Sequence, residues 1–348
     1  MTDEEKHKKF DVVIGNPPYQ EESHGEQKLF TAPIYDKFMN SAYQVGDIVE
    51  LITPARFLFN AGSTPKAWNK AMLNDPHLRV VDYYGDSSKV FNNVDIAAGV
   101  AVTLRNTNKN FGAIEVFTPY NELNSIRQKI SNIVAKDNMS EHIYNQNKFD
   151  LDAMYQDHPE YKNVIGSDGR DKRFRTNIFQ KINAFTDNNT DDALKVIGLV
   201  DNKRTYKYIN KKYVDMSHPE ISTYKVMVPK TNGTGKFGEP LINPFIEIPN
   251  VGFTQTFIGV GTFDDKQEAM NCLKYIKSKF LRVTLDILKV TQDTTKAKWR
   301  FVPWQDFSPS SDIDWTKSIP EIDQQLYKKY NLSQDEINFV ETNMKEMD

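Results

Sequence analysis

Hydrophobic and polar positions fall into short alternating blocks along the first hundred residues. Phe10–Gly15 (FDVVIG) is a β-branched run with charge before it and Asn-Pro-Pro after it. Such a run predicts a buried strand that ends in a loop. A polar stretch, 20–31, follows. Tyr35, Phe38, Met39, Ala42 and Tyr43 then recur at helical spacing and predict an amphipathic helix ended by Gly46-Asp47. Ile48–Thr53 predicts a second strand, stopped by Pro54, and Pro65–Leu73 a shorter helix closed by Asn74-Asp75-Pro76. Two more strands are expected over Leu78–Tyr84 and Ala98–Leu104. Strands alternating with helices are the order of a sheet with helical crossovers, so the fold class is α/β.

The pattern changes further on. Residues 121–165 are polar and helix-prone and read as a connector. Over 166–310, Gly, Asn, Lys and Tyr rise, and short strands alternate with turns such as Thr231-Asn232-Gly233-Thr234-Gly235, which predicts a mixed α+β domain. One helix is expected there, with Ala269, Leu273, Ile276 and Phe280 on one face. A charged helical tail occupies 311–348; Ile319-Pro320-Glu321-Ile322 opens one helix, and Ser333 is a plausible N-cap for another that runs to Glu346.

Composition narrows the classes. With 39% hydrophobic and 26% charged residues, the 348-residue chain is neither disordered nor collagen-like. No apolar run approaches the roughly 18 residues of a membrane span, and the polar N-terminus is not a signal peptide, so a cytoplasmic protein is expected. The single cysteine, Cys272, excludes an internal disulfide framework and a cysteine zinc site. The six histidines show no ligand spacing, and no metal site is expected. A net charge of −3 means that any contact with nucleic acid must come from local patches.

Asn16-Pro17-Pro18-Tyr19 directly follows the first predicted strand. In doubly wound sheets, ligands bind at the carboxyl ends of strands. The prolines restrict the loop and fix the direction of the Asn16 side chain and the Pro17 carbonyl, both acceptors. An exocyclic amine on a base is a poor nucleophile because its lone pair is delocalised into the ring. If its two N–H groups donate to Asn16 and to the Pro17 carbonyl, the nitrogen moves toward tetrahedral geometry and the lone pair is freed. Tyr19 supplies a face on which an extruded base stacks. Taken alone, Asn-Pro-Pro is also an ordinary turn signal.

FDVVIGNPPY resembles the catalytic motif of S-adenosylmethionine-dependent amino methyltransferases, in the form similar to the adenine-N6 DNA enzymes. The helix over Tyr35–Tyr43, IVELITPARFL (Ile48–Leu58), the strand Val80–Tyr84 and GVAVTLR (Gly99–Arg105) follow that family's order. The whole chain is similar to the methylase part of restriction–modification enzymes with a fused target-recognition domain. TFIGVGTFDDKQEA (Thr256–Ala269) and RFVPWQDFS (Arg300–Ser308) resemble the end of that domain. The resemblance implies a partial doubly wound methyltransferase sheet over 1–120 and a recognition domain over 166–310. It also implies catalytic roles for Asn16, Pro17, Pro18 and Tyr19, S-adenosylmethionine as methyl donor and double-stranded DNA as partner. Release-factor glutamine methyltransferases carry a similar motif but do not usually carry a long basic and aromatic C-terminal domain.

The resemblance leaves one element unfilled. The family's glycine-rich cofactor loop lies upstream of the catalytic motif, and only fifteen residues precede Asn16. An incomplete enzyme, with a second chain supplying the cofactor-binding half, is the reading that follows; a truncated remnant is its variant. Phe257-Ile258-Gly259-Val260-Gly261 matches the glycine pattern by letter and allows a circularly rearranged alternative. A rival from another class is a non-catalytic DNA-recognition module that keeps the motif as a relic.

Three basic clusters are candidates for phosphate contacts. The first holds Arg170, Lys172, Arg173, Arg175 and Lys181. The second holds Lys203, Arg204, Lys207, Lys211 and Lys212, interleaved with Tyr206, Tyr208 and Tyr213. Lys296, Lys298 and Arg300 flank Trp299 in the third. Each is equally readable as a solvated surface. The loop around Lys230–Lys236 is a further groove candidate or a plain hairpin turn. His24, in the polar loop after the motif, and Phe91, before the last strand, are candidates for the base pocket; a surface loop and a core position are their bland alternatives.

Overall fold

The computed structural model describes residues 8–21, 32–91, 96, 98–166, 172–233, 236–289 and 292–347. The chain is a mixed α/β protein that divides into two compact units, Met1–Asn124 and Ser125–Asp348.

The first unit is built on one sheet. Its strands are β1 (Phe10–Gly15), β2 (Gly46–Pro54), β3 (Leu78–Tyr84) and β4 (Val100–Asn106), in the order β1-β2-β4-β3. The helix α1 (Tyr35–Val45) joins β1 to β2, which pair in parallel with Val13 opposite Val49 and Gly15 opposite Leu51. Strand β4 is antiparallel to both of its neighbours, so β1, β2 and β3 all point the same way. One face of the sheet carries Val49 and Leu51 against α1 and α2 (Lys66–Asn74), with Tyr35, Met39, Phe57, Leu58, Met72 and Leu73 completing the core. On the other face, Phe10, Val12 and Ile14 remain 48%, 51% and 76% exposed. Parallel strands are normally covered on both faces, so the sequence-predicted buried strand is here a bare edge.

The expected last strand begins two residues late, at Val100. Ala98 and Gly99 both take positive φ and make a turn instead. A Cβ on Gly99 would lie 2.1 Å from the Tyr84 carbonyl oxygen, so only glycine fits. That turn ties the carboxyl end of the sheet together, because the Gly99 carbonyl accepts the Ala55 N–H at 3.0 Å.

The helix α3 (Asn121–Val134) crosses the boundary between the units. In the second unit, β5 (Ile143–Tyr144) is followed by α4 (Leu151–Asp157) and two single-turn helices, α5 (Lys162–Ile165) and α6 (Ile178–Lys181). Strands β6 (Ala193–Val200), β7 (Lys203–Asn210) and β10 (Val251–Phe253) form a sheet in the order β10-β6-β7. Strands β8 (Tyr224–Pro229), β9 (Phe245–Glu247) and β11 (Phe257–Phe263) join β5 in a second, β5-β11-β8-β9.

The single helix expected around Ala269–Phe280 is two: α7 (Lys266–Lys277) and α8 (Lys279–Asp286). Ser278 between them is extended and caps α8 by accepting the Leu281 N–H. The apolar spacing ran across the break because Ile276 and Phe280 are both fully buried. Asp323 accepts the N–H groups of Lys279 and Phe280 at 3.0 and 2.9 Å, which satisfies donors at the start of α8 from another helix. That other helix is α9 (Ile319–Lys329); α9 and α10 (Gln334–Asn343) both open with a capping box, on Ser318 and on the expected Ser333.

Candidate nucleic-acid-modifying site

Three parallel strands deliver their carboxyl ends to one rim of the first sheet. Asn16–Tyr19 continues β1, Ala55 continues β2, and Gly85 continues β3. The far side of the loop is pinned: Gln20 bridges Pro33, the Ile34 N–H donates to the Tyr19 carbonyl at 3.2 Å, and the Glu21 N–H donates to Ala32 at 3.0 Å. These bonds hold the loop next to the start of α1. Asn16 is exposed, and no hydrogen bond engages its side chain among the described residues. Its amide is therefore open to a ligand.

Tyr19 is half-buried and meets Phe91 edge to face, with ring centroids 6.3 Å apart and planes at 71°. Tyr19 of the Asn-Pro-Pro-Tyr motif and Phe91, one of the two base-pocket candidates, are thus brought into ring contact. A base sandwiched between two parallel rings needs roughly 7 Å between them, so Phe91 must turn before a base can stack on both rings. Burial pushes the Tyr19 phenol up to about 12, so it is neutral at physiological pH. Its hydroxyl is buried and has no hydrogen-bond partner among the described residues.

Among the described residues of this unit two further buried atoms lack a partner, Thr53 Oγ1 and Asp36 Oδ1. Thr53 is fully buried near the end of β2, and Asp36 is 8% exposed in the first turn of α1. Neither stands out in the sequence. The only signal was an acidic residue between the buried Tyr35 and Met39 of an otherwise apolar face.

The basic candidates are distributed as follows. Lys172 from the first cluster and Lys211 and Lys212 from the second line one open cleft of about 730 Å³, with Asp150, Asp152 and Asp215 between them. Arg173 bridges Lys148 through its backbone, and Arg175 donates to the Ile165 carbonyl at 2.9 Å. Strand β7, at the edge of its sheet, presents Lys203, Arg204 and Lys207. Lys203 is exposed; Arg204 lies 4.2 Å from the Phe245 ring and donates to the Asn243 carbonyl at 2.7 Å; Lys207 pairs with Asp187 at 2.7 Å. Of the interleaved tyrosines, Tyr206 donates to Glu247 at 2.7 Å and Tyr213 to Asp157 at 2.9 Å, so their hydroxyls are committed to the fold. Lys298 is half-buried and Arg300 exposed, while Trp299 between them is fully buried and donates to the Thr294 carbonyl. Asn232, the polar residue of the groove-candidate loop, is fully buried; it donates to Thr294 and accepts the Ile242 N–H at 2.7 Å. It holds the loop down and does not reach outward. His24 and Arg170 lie outside the described residues.

Gly259 and Gly261 sit inside β11, with Gly259 opposite Met227. Rings of Phe253 and Phe263 fill the space where their side chains would be. A phosphate- or nucleotide-cradling loop needs open backbone N–H groups at a strand-to-helix turn, and this segment has none to offer. The rearranged alternative fails on this geometry. Among the described residues no three His, Cys, Asp or Glu gather as a metal site, and no helix is long and apolar enough to cross a membrane.

Residues 1–91 match the family described as Eco57I restriction-modification methylase. Among solved structures, the type IIG restriction endonuclease BpuSI is 10% identical, with 98% of this chain and 55% of that one covered and a TM-score of 0.34. The type IIL restriction-modification enzyme MmeI, solved in complex with DNA, is 9% identical, with 95% and 56% covered and a TM-score of 0.34. The chain spans about half the length of these two proteins. No curated protein matches.

Proposed function

We propose that the chain, whose residues 1–91 match the Eco57I restriction-modification methylase family, is a component of an adenine-N6 DNA methyltransferase. The observation that carries this reading is the loop Asn16–Tyr19 at the carboxyl end of β1, with the Asn16 amide unengaged and Tyr19 beside Phe91. The Asn16 side-chain oxygen and the Pro17 carbonyl accept the two N–H groups of a flipped adenine's amine. Pro18 keeps the loop rigid. Tyr19 stacks on the base, and Phe91 turns to close on its other face. Strand β7 and the cleft between Lys172 and Lys212 contact DNA phosphates, within a recognition segment over 166–310.

The family implies S-adenosylmethionine as methyl donor. The described residues do not fit it well: the first unit has no glycine-rich turn between strand and helix among them, and the glycines of β11 are filled by rings. The donor is held by a second polypeptide, and the uncovered edge of β1, with Ile14 76% exposed, supports this. The same gap favours the second reading, a DNA-recognition module without catalysis.

Calorimetry on the purified chain tests the proposal. Duplex DNA should bind with an affinity that falls steeply with salt, and S-adenosylmethionine should not bind to the chain alone. Donor binding by the isolated chain overturns the second-polypeptide reading; absence of DNA binding overturns the recognition role.

A further inference from the structure

Strands β6 and β7 form a hairpin whose closed end runs past the rest of its sheet. Their antiparallel pairing continues from Ala193 opposite Asn210 to Val200 opposite Lys203. The third strand, β10, pairs only with Lys195, Val196 and Ile197 of β6. Residues 199–204 are therefore a two-stranded ribbon, closed by Asp201 and Asn202 alone. Both take positive φ, 50° and 60°, as in the type I′ turn that matches the twist of the flanking strands. The ribbon is braced from the side. Leu199 packs against the core of Ile197, Met227, Phe253 and Phe257. Arg204 lies over the Phe245 ring and donates to the Asn243 carbonyl. Asp201, Asn202 and Lys203 at the tip are exposed, and no hydrogen bond or ion pair engages their side chains among the described residues.

The three free groups differ in chemistry: a carboxylate, an amide and an ammonium. A tip made only for phosphates gains nothing from the carboxylate, which they repel. Base edges use all three. The major groove of B-DNA admits a two-stranded ribbon, a carboxylate there accepts from an exocyclic amine, and an asparagine pairs with both N6 and N7 of adenine. Asparagine and aspartate also tolerate positive φ, so turn geometry permits them. It does not ask for Asn202, because the second position of this turn is best filled by glycine.

We propose that the β6–β7 hairpin enters the major groove of DNA and that Asn202 reads an adenine there. Its Nδ2 donates to N7, and its Oδ1 accepts the amine hydrogen that base pairing leaves free. This adenine stays paired and is distinct from the flipped one. Asp201 accepts from a neighbouring exocyclic amine, and Lys203 pairs with a phosphate. The assignment rests on the DNA-recognition reading above and deepens it by naming a residue that sets specificity.

The test mixes the full chain with a pool of random-sequence duplexes and sequences the bound fraction. The wild type should enrich adenine at one or more positions. Asn202→Gly gives the turn its preferred residue, so the melting temperature should hold or rise, while the adenine preference at one position should fall roughly 5- to 150-fold. Asn202→Asp tolerates the same φ and cannot donate to N7, so it should lose the same preference. Preferences elsewhere in the site should persist in both. Lys203→Ala should weaken binding to every duplex alike and reduce the slope of log affinity against log salt by about one. An adenine profile unchanged in either Asn202 variant overturns the assignment, as does a wild-type pool in which no adenine is enriched. If the wild-type chain binds no duplex at all, the DNA-recognition reading itself falls.

Discussion

Asp286 offers a quantitative check on the packing of the second unit. It lies at the end of α8, 8% exposed, and accepts the Gly238 N–H at 2.8 Å. Burial pushes its carboxyl up to about 6 from the ordinary 3.8, despite that hydrogen bond and the nearby Lys289 and Arg282 cations. The folded chain therefore holds the proton to higher pH than the unfolded chain does. Between pH 4 and 6 the native state binds more protons, so stability falls as pH rises through this window, and the full penalty is present at pH 7. A rise from 3.8 to about 6 corresponds to about 3 kcal/mol. Asp323 is raised to about 6 by the same cause and shares the slope. Asp286→Asn keeps a carbonyl for Gly238 and cannot ionise. It should be more stable than the wild type by up to about 3 kcal/mol at pH 7, and indistinguishable from it at pH 4. Urea denaturation at several pH values between 4 and 7 measures this. An asparagine variant less stable at pH 7 would refute the reasoning, because Arg282 and Lys289, each with a buried unpartnered nitrogen, would then need the charge more than burial opposes it.

Further outcomes are expected at the first unit. Tyr19→Ala should weaken base-dependent DNA affinity by roughly 5- to 150-fold, the value of one stacked base, while Tyr19→Phe, which keeps the ring, should lose less; competition binding with abasic oligonucleotides separates the two, and equal losses would contradict a stacking role. Ile14→Lys should shift the melting temperature of the isolated chain by less than about 2 °C, because a side chain 76% exposed has little burial to lose. The same substitution should block association with the second polypeptide proposed to cover β1, read by co-purification from its native cells; a large loss of stability in the isolated chain would show the face is already covered.

The parts of the fold that were legible in the sequence are those set by local chemistry. Strands β1 and β3 stop where β-branched runs meet glycine and proline, and the last helix begins at its serine cap. The Asn16–Tyr19 loop was legible because two prolines and an aromatic follow a strand directly. Less legible was anything that depends on a distant partner. Nothing in FDVVIG announces that one of its faces stays bare, since an apolar strand reads the same whether its cover is present or not. Tyr206, Tyr213, Trp299 and Asn232 looked like surface groups by neighbourhood, yet Tyr206, Tyr213 and Asn232 are tied through contacts far along the chain, and Trp299 is fully buried. Gly259 and Gly261 matched a cofactor loop by letter and serve instead to let phenylalanine rings pack against a strand. Thr53 and Asp36 carried almost no signal, because an unpaired polar atom is a property of its surroundings and not of its residue type.

The central claim is that Asn16 activates an adenine amine in DNA. The most direct measurement replaces the chromosomal codon to give Asn16→Ala in the protein's native cells and reads modified bases by mass spectrometry and methylation-sensitive sequencing. The account predicts that N6-methyladenine disappears from one defined sequence while other marks persist, since removing one pre-positioned transition-state partner costs roughly a hundredfold or more in rate. Persistence of every N6-methyladenine mark, or loss of N4-methylcytosine in its place, would contradict it.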